Sequence, residues 1–107
     1  MIDFDAVIRL VGDLRAEELT RWIEESWVRP ESDARGYVFH EVDVARIRLI
    51  RELRDELAID EEAMPLVLQL LDQVYMLRRR LRLVRDVIET QPAEVRTAFL
   101  ARIAGDE

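Results

Sequence analysis

Val67, Leu70, Val74, Leu77, Leu81, Val84 and Ile88 recur at alternating spacings of three and four, an a/d heptad series held for three repeats. The pattern predicts one long amphipathic, coiled-coil-like helix. Spanning 65 to 90, it is roughly 39 Å long at about 1.5 Å per residue. A domain of 107 residues does not cover a helix of that length along its whole run. The far half therefore needs another surface, and the simplest is a second copy of the same chain. That makes the seven apolar residues a predicted homodimer seam.

The rest of the chain also reads as helical. Phe4, Val7, Ile8 and Val11, behind the N-cap residue Asp3, predict a short helix over about 4–11 that Gly12-Asp13 breaks. Leu19, Trp22 and Ile23 predict a second over about 15–26, with Glu17-Glu18 at its positive end. Two short helices across a tight Gly-containing turn are a helix-turn-helix candidate. Pro30 and Gly36 bracket a polar stretch, and Tyr37-Val38-Phe39 is a β-prone run, so a small loop or hairpin follows.

A third helix is expected over about 41–57, with Val42, Ala45, Leu49, Leu53 and Leu57 along one face and Ile47 and Ile50 widening it. Asp60 is placed to cap the long helix, Pro65 makes its start shift or kink, and Pro92 ends it. A short final helix with Val95, Phe99 and Ile103 folds back before Gly105.

Several chemistries are excluded by residues the chain lacks. It has no Cys and a single His, His40, so thiolate metal sites, a Cys nucleophile and an imidazole relay have no residues to build them. Three dispersed Gly form no phosphate-cradling loop, and Ser26 and Ser32 sit in no nucleophile elbow. The adjacent acids Glu17-Glu18, Glu24-Glu25 and Glu61-Glu62 point in different directions on a helix rather than into one pocket. No enzyme, cofactor or metal is expected. No apolar run approaches the ~20 residues of a membrane span, and the first residues carry acids where a signal peptide carries positive charge, so a cytoplasmic protein is expected.

The formal charge is −7, from 23 acids against 16 arginines. It is uneven: residues 1–45 hold eleven acids and five Arg (−6), 46–77 seven and four (−3), and 78–107 five and seven (+2). This balance opposes binding to nucleic acid or anionic lipid and favours a basic partner for the N-terminal half. On a DNA-reading second helix, Glu17, Glu18, Glu24 and Glu25 outweigh Arg15 and Arg21, so direct DNA binding is disfavoured. Arg78-Arg79-Arg80, Arg82 and Arg85 place five guanidinium groups beside the seam, where they read as its solvated flank. Trp22, Trp27, Tyr37 and Phe39 read as packing for the small loop, and His40 as a surface or capping residue.

Trp27-Val28-Arg29-Pro30, then Gly36-Tyr37-Val38-Phe39, then Asp43-Val44-Ala45-Arg46 through Leu53 resemble the wing and third helix of the MerR superfamily. Within it, Tyr37 to Leu77 resembles the chaperone-modulator proteins of the CbpM type. The shared features are the aromatic-Val-Phe strand, Arg51-Glu52-Leu53-Arg54-Asp55-Glu56-Leu57, the Ile59-Asp60 start and Leu70-Leu71-Asp72. The resemblance implies an all-α fold: a winged helix-turn-helix over 1–60, then a long dimerising helix and a short terminal helix over 61–107, in one structural unit. It further implies a protein that binds the J-domain of a DnaJ-like co-chaperone of the CbpA type and restrains its co-chaperone and DNA-binding work. J-domains present a basic helix, and acids at the junction of helices three and four are the expected contacts on charge grounds: Asp55, Glu56, Asp60, Glu61 and Glu62, with Asp72. The alternatives are a MerR-type transcriptional regulator and a purely structural dimerisation module.

Overall fold

The computed structural model describes residues 2–105. In chain order it contains α1 (Phe4–Val11), α2 (Ala16–Glu24), β1 (Glu31–Asp33), β2 (Gly36–Val38), α3 (Glu41–Asp55), α4 (Met64–Glu89) and α5 (Ala93–Gly105). The chain is mostly helical, with one antiparallel two-stranded hairpin where a loop or hairpin is expected. It divides into two compact units, one ending at Leu68 and the other beginning at Gln69.

The first unit holds the helix-turn-helix. The Asp3 carboxylate caps α1 by accepting from the Ala6 N–H at 2.8 Å. Gly12 (φ +68°) and Asp13 (φ +46°) then turn the chain through two positive-φ residues, a conformation that Gly and short polar side chains adopt at least cost. The end of α2 is a Schellman motif with Ser26 (φ +62°) in the left-handed position. The Ser26 N–H donates to the Ile23 carbonyl at 3.0 Å and the Trp27 N–H to the Trp22 carbonyl at 2.9 Å. This reversal carries Trp27 and Val28 into the core.

In the hairpin Glu31 pairs with Val38, Ser32 with Tyr37 and Asp33 with Gly36. At its tip the Arg35 N–H donates to the Asp33 carboxylate at 2.8 Å. Phe39, fully buried, exchanges backbone hydrogen bonds with Ile2 and sets its ring 6.4 Å from Phe4 and 6.3 Å from Tyr37. His40 occupies the α3 N-cap position and its N–H donates to the Asp43 carboxylate at 2.8 Å.

The buried face of α3 keeps Ile47, Ile50 and Leu53 of the expected stripe but is rotated off its centre line. Val44, Ile47, Ile50 and Leu53 are buried, whereas Val42 and Leu57 are exposed, Ala45 is exposed and Leu49 is half-buried. Both sets have helical spacing, so periodicity does not separate them. The helix stops at Asp55, and Ala58 takes φ +53° as the Ile59 N–H reaches the Leu53 carbonyl at 2.9 Å, which leaves Leu57 beyond the helix. Arginines also claim part of the inward surface. Arg46 Nε donates to the Trp27 carbonyl at 2.9 Å, and Arg51 Nη1 to the Val11 and Gly12 carbonyls at 2.6 and 3.0 Å. The Val11 and Gly12 carbonyls end α1 and lack helical partners of their own, so the Arg51 guanidinium is drawn to them.

The long helix starts at Met64, with Pro65 inside its first turn. Asp60 caps the turn before it: its carboxylate accepts from the Ala63 N–H at 2.8 Å and its carbonyl from the Met64 N–H at 3.0 Å. Met64 and Leu68 close the core of the first unit, and every buried apolar residue lies at or before Leu68. In the second unit, Pro92 separates α4 from α5 and Thr97 bonds back to the Ala93 carbonyl at 2.9 Å. Its described residues are all exposed or half-buried. Among the described residues, no helix is long and apolar enough to cross a membrane.

Candidate functional site

On α2 the packing side chains and the charged side chains take opposite sides. Leu19 and Trp22 are buried, and Ile23 is half-buried. The two cations at the helix are engaged by acids of the same chain. Arg15 Nε lies 3.4 Å from Glu18, and Arg21 reaches Glu61, forty residues along. Glu18 also pairs with Arg54, whose guanidinium sits over the Trp22 ring at 5.5 Å. Glu17, Glu24 and Glu25 are exposed, and their carboxylates have no partner among the described residues. The solvent-facing charge of the helix is therefore negative.

The expected acidic corner divides by environment. Asp55 is bonded by Arg54 at 2.7 Å, and that hydrogen bond holds its carboxyl below the usual carboxylate range. The same bond, ahead of the opposing effect of burial, raises the Arg54 guanidinium above its ordinary value. Glu61 is committed to Arg21 and Asp60 to its cap. Glu56 and Glu62 are exposed, and their carboxylates carry no partner among the described residues. Asp72, exposed on α4, lies beyond the first unit.

Between α2, the end of α3 and the segment before α4 lies a cleft of about 210 Å³. Trp22, Trp27, Ile50 and Met64 line its apolar part, and Arg21, Arg54 and Glu61 are among its charged residues. Small-molecule pockets span roughly 300–1,000 Å³, so this cleft is a seam closed by ion pairs. Among the described residues, no group of three His, Asp or Glu is arranged to hold a metal.

Of the seam residues, Leu70, Val74, Leu77, Leu81 and Val84 are exposed, and Val67 and Ile88 half-buried. Arg85 lies 3.5 Å from Asp86 and 4.0 Å from Glu89, an i, i+4 pair flanking the seam. The bonds from Arg51, and the pairs Arg54–Glu18 and Arg21–Glu61, are missed by a reading along the chain. Their members lie 36 to 40 residues apart, and no local spacing signals them.

A family model described as MerR HTH family regulatory protein matches residues 4–86. No curated protein and no solved structure matches the chain.

Proposed function

The chain belongs to the MerR helix-turn-helix family of regulatory proteins, and from that premise we propose that it acts without catalysis, as a chaperone modulator that binds a basic protein surface. The partner is the J-domain of a DnaJ-like co-chaperone of the CbpA type, and binding restrains both its co-chaperone work and its contact with DNA. The observation that carries this reading is the charge of α2. Its arginines are bonded inside the chain while Glu17, Glu24 and Glu25 face outward. A DNA reader needs cations toward the phosphates on that helix, and free carboxylates there oppose binding.

Residues 1–68 carry seventeen acids and nine arginines, a net of −8, and such a field attracts and orients a basic partner. The partnerless Glu56 and Glu62, rather than the internally bonded Asp55 and Glu61, are the strongest contacts of the acidic corner. The reading includes a homodimer paired through the α4 seam.

The test is titration of the protein with a purified J-domain at low and high salt. Glu56→Arg with Glu62→Arg weakens binding about tenfold, chiefly through slower association, and the wild-type affinity falls as salt rises. Absence of J-domain binding at micromolar concentration and low salt overturns the proposal. A transcriptional regulator is the second reading, favoured by the family match and the hairpin placed as a wing. Nanomolar binding to duplex DNA would put it first.

A further inference from the structure

Between Asp72 and Asp86 the chain holds five arginines and no acid, although acids outnumber arginines in the whole sequence. All five, Arg78, Arg79, Arg80, Arg82 and Arg85, are exposed on α4 within the second unit. Arg85 lies against Asp86 and Glu89. The other four guanidinium groups carry no ion pair or hydrogen bond among the described residues. Arg78 and Arg82 stand four residues apart and Arg79 and Arg82 three, spacings at which like charges repel along a helix. An anion settling between them relieves that repulsion.

At about 100° of turn per residue, Arg78, Arg79 and Arg82 share an arc of about 100°. Tyr75, 52% exposed, lies inside the same arc. The arc is centred about 130° round the helix from Leu77 and Leu81, so a helix packed on the seam leaves this face in solvent. We propose that the face is a docking surface for an acidic protein segment. Carboxylates about 6 Å apart, as at i and i+4 of a helix, would pair with Arg78 and Arg82, a further one with Arg79, and the Tyr75 hydroxyl would donate beside them. The planar guanidinium fork suits such a partner, since it holds a carboxylate through two parallel N–H···O bonds. The surface is separate from the acidic one of the first unit and opposite to it in sign.

Charge argues against the two larger polyanions. A duplex or an anionic bilayer extends well past the Debye length, about 8 Å at physiological salt, and so meets the field of a chain whose net charge is −7. A short segment meets only the arginines. A bilayer also requires one unbroken apolar face. Arg80 interrupts it, flanked three and four residues away by Met76, Leu77, Leu83 and Val84, and a cation there is costly among lipid tails.

The test is fluorescence anisotropy of a labelled helical peptide of about 15 residues with Glu at i, i+4 and i+8, titrated with the full chain in about 20 mM salt. The same peptide with Gln for each Glu is the control. The acidic peptide is expected to bind with a Kd below about 100 μM, weakening as salt rises. Arg78→Gln with Arg82→Gln should raise that Kd about tenfold. Arg96→Gln with Arg102→Gln on α5 removes the same charge and should leave it within about twofold. Far-UV circular dichroism checks that both variants keep their helices. The proposal is overturned if the acidic peptide binds no better than its Gln control, or if the two double variants weaken it equally. It is also overturned if duplex DNA or phosphatidylserine vesicles bind through Arg78 and Arg82 more tightly than the peptide does.

Discussion

Arg54 ties α3 to α2 through Glu18 and the Trp22 ring, and its contribution is open to a double-mutant cycle. The Arg54 and Glu18 side chains are 30% and 22% exposed, so the pair is neither fully solvated nor fully desolvated. Exposed pairs contribute about 0–1 kcal/mol, and partial burial places this one near the upper end of that range. The contact with the Trp22 face adds about 0.5–1 kcal/mol. Arg54→Met is therefore expected to cost about 2 kcal/mol, which lowers Tm by roughly 10 °C in a chain of this size. With Glu18→Gln as the second arm, the coupling energy is expected at about 1 kcal/mol in 0.1 M salt. It falls without vanishing at 1 M, where the Debye length is about 3 Å. Thermal melts of the four proteins supply the cycle. A coupling energy below about 0.3 kcal/mol would mean that the two substitutions act independently, and the ion pair would then not hold α2 against α3.

Two further outcomes follow from the same unit. The folded-state carboxyl of Asp55 binds its proton at lower pH than the unfolded one, so the stability it contributes is full above about pH 4 and is lost as pH falls through the lowered value. Asp55→Asn should therefore be slightly less stable than wild type at pH 7, with a gap that closes in melts below pH 4; a gap constant down to pH 3 refutes the assignment. Ile47→Ala, at a fully buried site, is expected to cost about 2–5 kcal/mol. Val42→Ala, at an exposed one, should stay within about 0.5 kcal/mol, and equal losses in urea melts would restore the face first expected for α3.

What could be read along the chain was whatever local chemistry determines. Asp3 as a cap, Gly12-Asp13 as a break and Pro92 as a stop each act within a turn or two, and the helices lie close to the expected ranges. The inner face of α3 lay out of reach because Val42 and Val44 are equally apolar. Val44 turns inward with Ile47 and Ile50, and Arg46 and Arg51 on the same helix reach carbonyls of Trp27, Val11 and Gly12 from distant parts of the chain. The acidic corner was visible as composition. Its division into bonded Asp55 and Glu61 and partnerless Glu56 and Glu62 depends on contacts with Arg54 and with the distant Arg21. The heptad told which residues of α4 are apolar, while Leu83 and Val87, outside its register, line a groove with α5 that no spacing signals.

On α2 the residues that hold the fold and the residues that meet the solvent are disjoint sets. Leu19 and Trp22 fix the helix from below, while the carboxylates of Glu17, Glu24 and Glu25 carry no hydrogen-bond or ion-pair partner among the described residues. Substitution at Glu24 and Glu25 is thus expected to change the charge that α2 presents with little effect on stability. Exchanging both glutamates for arginine moves the local charge by two units per site, four in all, without disturbing a packed atom. A helix so divided can change the charge it presents to any partner while the frame that holds it stays the same, a replaceable faceplate on a fixed mount.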